Sequence, residues 1–211
     1  AYDFIEKPFK ADRLLLMIER ALETAKLRRE NASLRVQAEG PSQLVGNSPF
    51  MKATRQTISR IAKTNSRVLL TGEPGTGKNI IAKAIHKESD RADGPFMTVN
   101  CAVLRPEHLE IELFGTENGP MGGPSQAGML EQANGGTLLL DEVADMPQKT
   151  QSKIVRVLQE QKFQRVGGQN KIEVDVRIIA TTNQNLEDLI REGAFREDLY
   201  YRLNVVPLNI A

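Results

Sequence analysis

The stretch Gly72-Glu73-Pro74-Gly75-Thr76-Gly77-Lys78-Asn79 constrains this chain more than any other. It follows the apolar run Val68-Leu69-Leu70 and precedes Ile80-Ile81-Ala82-Lys83-Ala84-Ile85, whose apolar spacing is helical. Strand, Gly-rich turn, then helix is the order that a phosphate-binding loop requires. Glycines let successive backbone N–H groups turn toward one centre without Cβ clashes, and the helix that follows presents its positive end. Lys78 then reaches the β- and γ-phosphates of a nucleotide as a point charge. Asn79 stands where this motif ordinarily has a Ser or Thr hydroxyl for Mg²⁺, so a metal must rely more on other groups.

Those groups are expected at the end of a second buried strand. Gly135-Gly136-Thr137-Leu138-Leu139-Leu140-Asp141-Glu142 is a turn, an apolar run too short for a helix, and two carboxylates where the chain leaves the core. Asp141 is placed to hold Mg²⁺ or its water, and Glu142 to orient and deprotonate the water that attacks the γ-phosphate.

Apolar strands near Val68-Thr71, Phe96-Val99, Thr137-Leu140, Val176-Ala180 and Val205-Leu208 alternate with helices near Lys78-Glu88, Gln148-Gln161 and Leu186-Arg191. This alternation predicts an α/β fold, a parallel sheet covered by helices on both faces, with its site beyond the carboxyl ends of the strands. Ser48 and Pro49 read as cap and first turn of a helix through about Ala62. Arg165 to Ile172 reads as a hairpin inserted before the fourth strand.

Before this domain, Ala1 to Lys10 reads as a short strand and turn, and Ala11 to about Gln37 as a helix with Leu15, Ile18, Leu22 and Ala25 at helical spacing. The half from Lys26 onward is too polar to be buried alone. Either it pairs with a second copy as a short coiled coil, or it is a solvated linker. At 211 residues, with 40% apolar residues and net charge +1, the chain suits one sizeable domain plus something smaller, and charge does not indicate nucleic-acid binding. A single cysteine, Cys101, excludes an intrachain disulfide, and two dispersed histidines supply no metal cluster. No span is long and apolar enough for a membrane and no signal peptide is evident, so a cytoplasmic protein without membrane partners is expected.

Taken together, Leu44 to Ala211 resembles the AAA+ ATPase domain of the NtrC family of sigma-54-dependent response regulators, in its nitrogen-metabolism branch. The likeness rests on Val45-Gly46-Asn47-Ser48-Pro49, the phosphate loop, Val99-Asn100-Cys101-Ala102, Glu112-Leu113-Phe114-Gly115, Gly136 to Glu142, Phe163 to Gly168, and Phe195 to Leu203. It implies the P-loop AAA+ sheet, ATP and Mg²⁺ as ligands, and nucleotide contacts at Val45, Gly46 and Gly72 to Asn79. Asn100 resembles the residue that hydrogen-bonds the catalytic glutamate and releases it on sensing the γ-phosphate; capping the next turn is the alternative. Thr182 and Asn183 resemble the first sensor, near the attacking water. Arg196 and Arg202 resemble arginine fingers that enter a neighbour's site, and which one acts stays open. A finger acting in trans implies a head-to-tail ring, a hexamer or heptamer.

Residues 1–25 resemble the end of a receiver domain, with Lys7 before Pro8 and the phosphoacceptor upstream; 26–43 would be the linker helix and 44–211 the ATPase domain without its lid. The resemblance therefore also implies a dimer contact through the linker, a sensor kinase like NtrY acting on the receiver, and DNA binding through a domain beyond Ala211. One segment departs from the family. Its members carry Gly-Ala-Phe-Thr-Gly-Ala at the loop tip that grips sigma-54, where this chain has Gly119-Pro120-Met121-Gly122-Gly123-Pro124, without aromatic or threonine. Two readings follow: an ATPase that remodels sigma-54 polymerase, or a nucleotide-binding assembly switch that does not activate sigma-54. A small-molecule kinase shares the loop but does not account for Glu142, Asn100 and the paired arginines together.

Overall fold

The structure, a computed structural model, describes residues 48–118 and 123–210. The strand and helix expected before Gln37, the contacts expected at Val45 and Gly46, and Gly119 to Gly122 of the altered loop lie outside these residues. Helix α1 (Pro49–Ala62) starts as its sequence directs: the Ser48 hydroxyl accepts from the Met51 N–H at 3.2 Å, and Pro49 occupies the first turn, where its missing N–H leaves nothing unpaired.

There follow β1 (Val68–Gly72), α2 (Lys78–Lys87), β2 (Phe96–Asn100), α3 (Pro106–Phe114), α4 (Met129–Gln132), β3 (Thr137–Asp141), a 3₁₀ turn (Val143–Asp145), α5 (Gln148–Glu160), β4 (Lys162–Phe163), β5 (Ile172–Glu173), β6 (Arg177–Thr182), α6 (Leu186–Arg191), α7 (Glu197–Leu203) and β7 (Val206–Ile210). Five strands form one sheet in the order β2-β3-β6-β1-β7, every neighbouring pair parallel. The expected hairpin is present as an antiparallel pair of β4 and β5. The last two expected strands run two residues further than their apolar runs. Three helices that apolar spacing did not signal, α3, α4 and α7, are short.

Period-two alternation divides the core into two layers. Val68, Leu70, Leu139, Ile179 and Ile210 point to one face, under Ile58 and Ile61 of α1 and Ile81, Ala82 and Ile85 of α2. Leu69, Val99, Leu138, Leu140, Ile178 and Ala180 point to the other, under Leu109 and Leu113 of α3, Ile154 of α5, Leu186 of α6 and Leu199 of α7. Continuous apolar runs are what a parallel sheet buried on both faces demands. At the amino edge of β6, buried Arg177 donates to the carbonyls of Ile61, Ala62 and Ser66 at 2.9 to 3.1 Å, satisfying the end of α1 and the approach to β1.

After α3 the backbone closes a stem. Thr116 and Gln126 exchange both backbone hydrogen bonds, at 2.8 and 2.9 Å, while Glu117 N–H and Val166 N–H donate across to Val166 and Gly115 carbonyls at 3.1 and 3.0 Å. Only glycines permit the approach: a Cβ on Gly115 would lie 2.3 Å from the Gln126 carbonyl oxygen, and one on Gly128 2.3 Å from Gly115 N. Arg165 locks the stem from the hairpin, forking onto Glu131 at 2.7 and 2.8 Å and reaching Glu117 at 3.4 Å. Among the described residues, no helix is long and apolar enough to cross a membrane.

Candidate functional site

The carboxyl ends of β1, β2, β3 and β6 meet at one edge of the sheet, and Lys78, Asn79, Asn100, Asp141, Glu142 and Asn183 sit there. Leaving β1, the chain turns through Gly75 and Gly77, both in the left-handed region at φ 84° and 86°, before α2 begins at Lys78. Thr76 braces the turn by donating its hydroxyl to the Glu73 carbonyl at 2.8 Å. Lys78 is only 6% exposed, with Nζ donating to the carbonyls of Gly72 at 2.9 Å and Glu73 at 3.1 Å, and 3.5 Å from Glu142 Oε1. Its ammonium therefore lies between the loop and the second carboxylate.

Strand register explains what surrounds Asp141. Asn100 of β2 is its direct ladder partner, and because Leu140 pairs with Ala180, the next residue of β6, Thr181, comes alongside it. Asp141 Oδ2 accepts from the amides of Asn79 at 3.1 Å and Asn100 at 3.2 Å, and Oδ1 accepts from the Thr181 hydroxyl at 2.6 Å. The same hydroxyl accepts the Glu142 N–H at 3.0 Å. Glu142 adopts φ 53°, ψ 60°, a left-handed conformation rare for a residue with a side chain. Its Oε2 accepts the backbone N–H of Asn183 at 3.0 Å. Cys101, whose N–H donates to the Asp141 carbonyl at 2.9 Å, has its thiol pushed up to about 12 by burial and by the neighbouring carboxylates of Asp141, Asp145 and Glu142. It stays a protonated, inert thiol at neutral pH.

The site thus gathers the loop, Lys78, Asn79, Asn100, Asp141, Glu142 and Asn183. Two contacts differ from expectation. Asn100 donates to Asp141 rather than to Glu142, because the ladder sets it opposite Asp141; its Oδ1 also accepts the Ala102 N–H at 2.9 Å, the turn-capping role. Asn183 reaches Glu142 through its main chain, while buried Thr182 bonds back to Gln184. Thr181 was not singled out from sequence; the signal available was a hydroxyl at the end of a buried apolar strand.

The two arginines are not drawn into this group. Arg196, at the start of α7, grips Asp198 with two bonds of 2.7 and 2.9 Å, which raises its pKa. Arg202 lies on the same helix with its Nε buried and without a hydrogen-bond partner, and its carbonyl accepts from Arg67 at 2.9 Å.

The oxygens present suit a small hard cation that keeps water and phosphate ligands. Asp141 offers a carboxylate, to which Asn79 donates its side-chain amide at 3.1 Å. No cluster of three acidic, His or Cys side chains that could hold a metal unaided occurs among the described residues. The glycine turn leaves a Cβ-free cradle at Gly75, with no atom within 4 Å of where a Cβ would stand.

Residues 44–209 match the sigma-54 interaction domain model. The chain is 53% identical over 210 residues to the nitrogen assimilation regulatory protein NtrX of Azorhizobium caulinodans, covering 100% of this chain and 46% of that protein. It is similar to the crystal structure of NtrX from Brucella abortus in complex with ATP, at 58% identity and TM-score 0.78, covering 100% of this chain and 45% of that one. It also shares its fold with the P-loop NTPase domain of a sigma-54 activator from E. coli, at 22% identity and TM-score 0.54, covering 79% of this chain and 97% of that one. The chain spans about half the length of the curated relatives it matches.

Proposed function

The chain belongs to the family of sigma-54 interaction domains, and from that premise we propose that it binds ATP with Mg²⁺ at the Lys78 loop and hydrolyses it with Glu142 as the base. The observation that carries this reading is Glu142 itself. Its carboxylate is fixed between the Lys78 ammonium and the Asn183 N–H, next to Asp141, on a backbone conformation costing about 1–3 kcal/mol. An acid that merely opened a helix would need none of these constraints.

In this reading the Lys78 ammonium serves the β- and γ-phosphates, with the loop N–H groups and α2 behind them. Asp141 would hold the metal, which when bound would neutralise charge on the phosphate oxygens. Glu142 takes the proton of the attacking water, and Asn100 and Thr181 keep Asp141 aligned. Arg196 and Arg202 act on the nucleotide of the next subunit in a head-to-tail ring.

The relatives are about twice as long, and the wider assignment is part of the proposal: a two-component transcription regulator of the nitrogen-metabolism type. Residues 1–25 end its receiver domain, which a sensor kinase addresses, 26–43 form a dimerising linker and 44–211 the ATPase domain, with DNA bound by a further domain. In the intact protein, Glu142→Gln should bind ATP with unchanged affinity by calorimetry and lose hydrolysis; turnover at the wild-type rate would take Glu142 out of the mechanism.

The tip sequence Gly119 to Pro124 favours a second reading, in which ATP sets assembly and sigma-54 is not remodelled, because Gly and Pro offer little apolar surface and lose loop entropy on docking. An in vitro transcription assay separates the two. ATP-dependent open complexes at a sigma-54 promoter support remodelling, and hydrolysis without them supports the switch.

A further inference from the structure

Gln151 is fully buried on the first turn of α5, yet it is polar and makes its hydrogen bonds to two separate segments. Its Nε2 donates to the Met146 carbonyl at 2.7 Å and to the Ala194 carbonyl at 3.1 Å, and its Oε1 accepts the Arg196 N–H at 2.8 Å. Met146 closes the 3₁₀ turn that starts at Glu142, through Asp145 N–H to the Glu142 carbonyl at 3.2 Å and Met146 N–H to the Val143 carbonyl at 3.1 Å. Ala194 and Arg196 lead into α7, the helix that carries both arginines. One amide thus spans from the end of the turn that presents the base to the start of the helix that presents the fingers.

We propose that Gln151 is a positioning residue that sets the register of α7, and with it the arginines offered to a neighbouring subunit, against the Glu142 turn. This rests on the reading that an α7 arginine acts in trans. Shape and chemistry both point to register rather than to filling. An apolar side chain would fill this space without stranding its own polar atoms, whereas glutamine pairs the buried Met146 carbonyl and the half-covered Ala194 carbonyl and Arg196 N–H at the entry to α7. Glutamine supplies two donors and an acceptor from one planar group, so its partners are fixed relative to each other in distance and direction. Leu199 and Leu203 anchor α7 in the apolar layer by non-directional contact, and Arg67 holds the Arg202 carbonyl near its far end, so the Gln151 bonds are what fix its amino end. Arg196, as the capping residue of α7, is the point where that position is read.

The test uses subunit mixing in the intact protein. Gln151→Met removes all three bonds, and Gln151→Glu keeps the acceptor for Arg196 N–H while opposing both carbonyls. Each variant should bind ATP within about twofold of wild type by calorimetry, and hydrolyse it about tenfold to a hundredfold more slowly, the range expected for a small misplacement of a catalytic group. Each should then be rescued by an equal amount of Glu142→Gln subunits, which lack the base but carry well-placed arginines. In a head-to-tail ring with random mixing, about a quarter of sites combine an intact base with an intact neighbouring finger, so about a quarter of wild-type turnover should return. Arg196→Ala and Arg202→Ala subunits mixed with Glu142→Gln serve as the reference. If neither arginine variant is rescued, the trans reading fails and Gln151 falls with it. If an arginine variant is rescued but a Gln151 variant with wild-type ATP affinity is not, or if that variant alone hydrolyses at full rate, Gln151 is only a packing residue. Should Gln151→Met fail to fold, the same outcomes are read from Gln151→Glu.

Discussion

Replacing Thr181 by valine tests how Glu142 is held. The substitution conserves shape at a position with no exposed surface, and deletes one hydroxyl. That hydroxyl donates to the Asp141 carboxylate at 2.6 Å and accepts the Glu142 N–H at 3.0 Å. A hydrogen bond to a charged group contributes about 1.5–3 kcal/mol and a neutral one about 0.5–1.5 kcal/mol. The added methyl offsets up to about 0.8 kcal/mol. A net loss of about 2 kcal/mol is expected, which corresponds to about thirtyfold faster hydrogen exchange of the β3 and β6 amides if these open together. Catalysis should suffer beyond stability: with its N–H released, Glu142 loses a constraint on its left-handed backbone, so turnover falls while ATP affinity, set at the Lys78 loop, changes little. Thr181→Ser retains the hydroxyl and should restore most of both. Exchange and turnover in Thr181→Val equal to wild type would refute the idea that this hydroxyl positions the base.

Lys78→Ala should weaken ATP binding at least about a hundredfold by calorimetry, since it removes the cation that faces the phosphates; equal affinities would dissociate the loop from nucleotide. Arg177→Met should destabilise the domain by about 3–5 kcal/mol, because three carbonyls lose a buried charged partner, and an unchanged melting temperature would contradict this. The hydrogen bond from Arg165 holds the Glu131 carboxyl below its ordinary value of 4.5. A depressed carboxyl stabilises the fold above the unfolded value and ceases to as pH falls through the folded one. The stability gap between wild type and Arg165→Met should therefore be widest near neutral pH and close as pH drops below that value; a gap that is the same at neutral and strongly acidic pH would remove this ion pair from the stem.

What the sequence disclosed depended on whether the information was local. The five strands were legible because a parallel sheet covered on both faces requires apolar runs such as Leu138-Leu139-Leu140, and the loop was legible because its glycines and Lys78 are contiguous. Helices α3 and α7 are too short for periodicity to stand out. Their signals were terminal ones, Pro106 in the first turn of α3 and Glu197 and Asp198 in the first turn of α7. Thr181 was hidden because a threonine in a strand is ordinary until the β3–β6 register places it beside Asp141. Register also redirected Asn100 onto Asp141. The family resemblance named Arg196 and Arg202 as a pair, but the bond from Arg196 to Asp198 is visible only once the first turn of α7 is formed.

The stem at Thr116 and Gln126 has a consequence for variation. Thr116 and Gln126 are bonded backbone to backbone, Gly115 and Gly128 approach closely, and Val166 pins them sideways, so the stem closes on its own contacts whatever number of residues its tip holds. Closure entropy grows only with the logarithm of length, about 0.6 kcal/mol for each doubling. Residues can therefore be exchanged, inserted or lost at that tip without disturbing the sheet or the Asp141–Glu142 edge. This is the kind of place where a lineage can discard one contact or acquire another while its nucleotide machinery stays intact. The segment where this chain departs from its family lies inside that clamp.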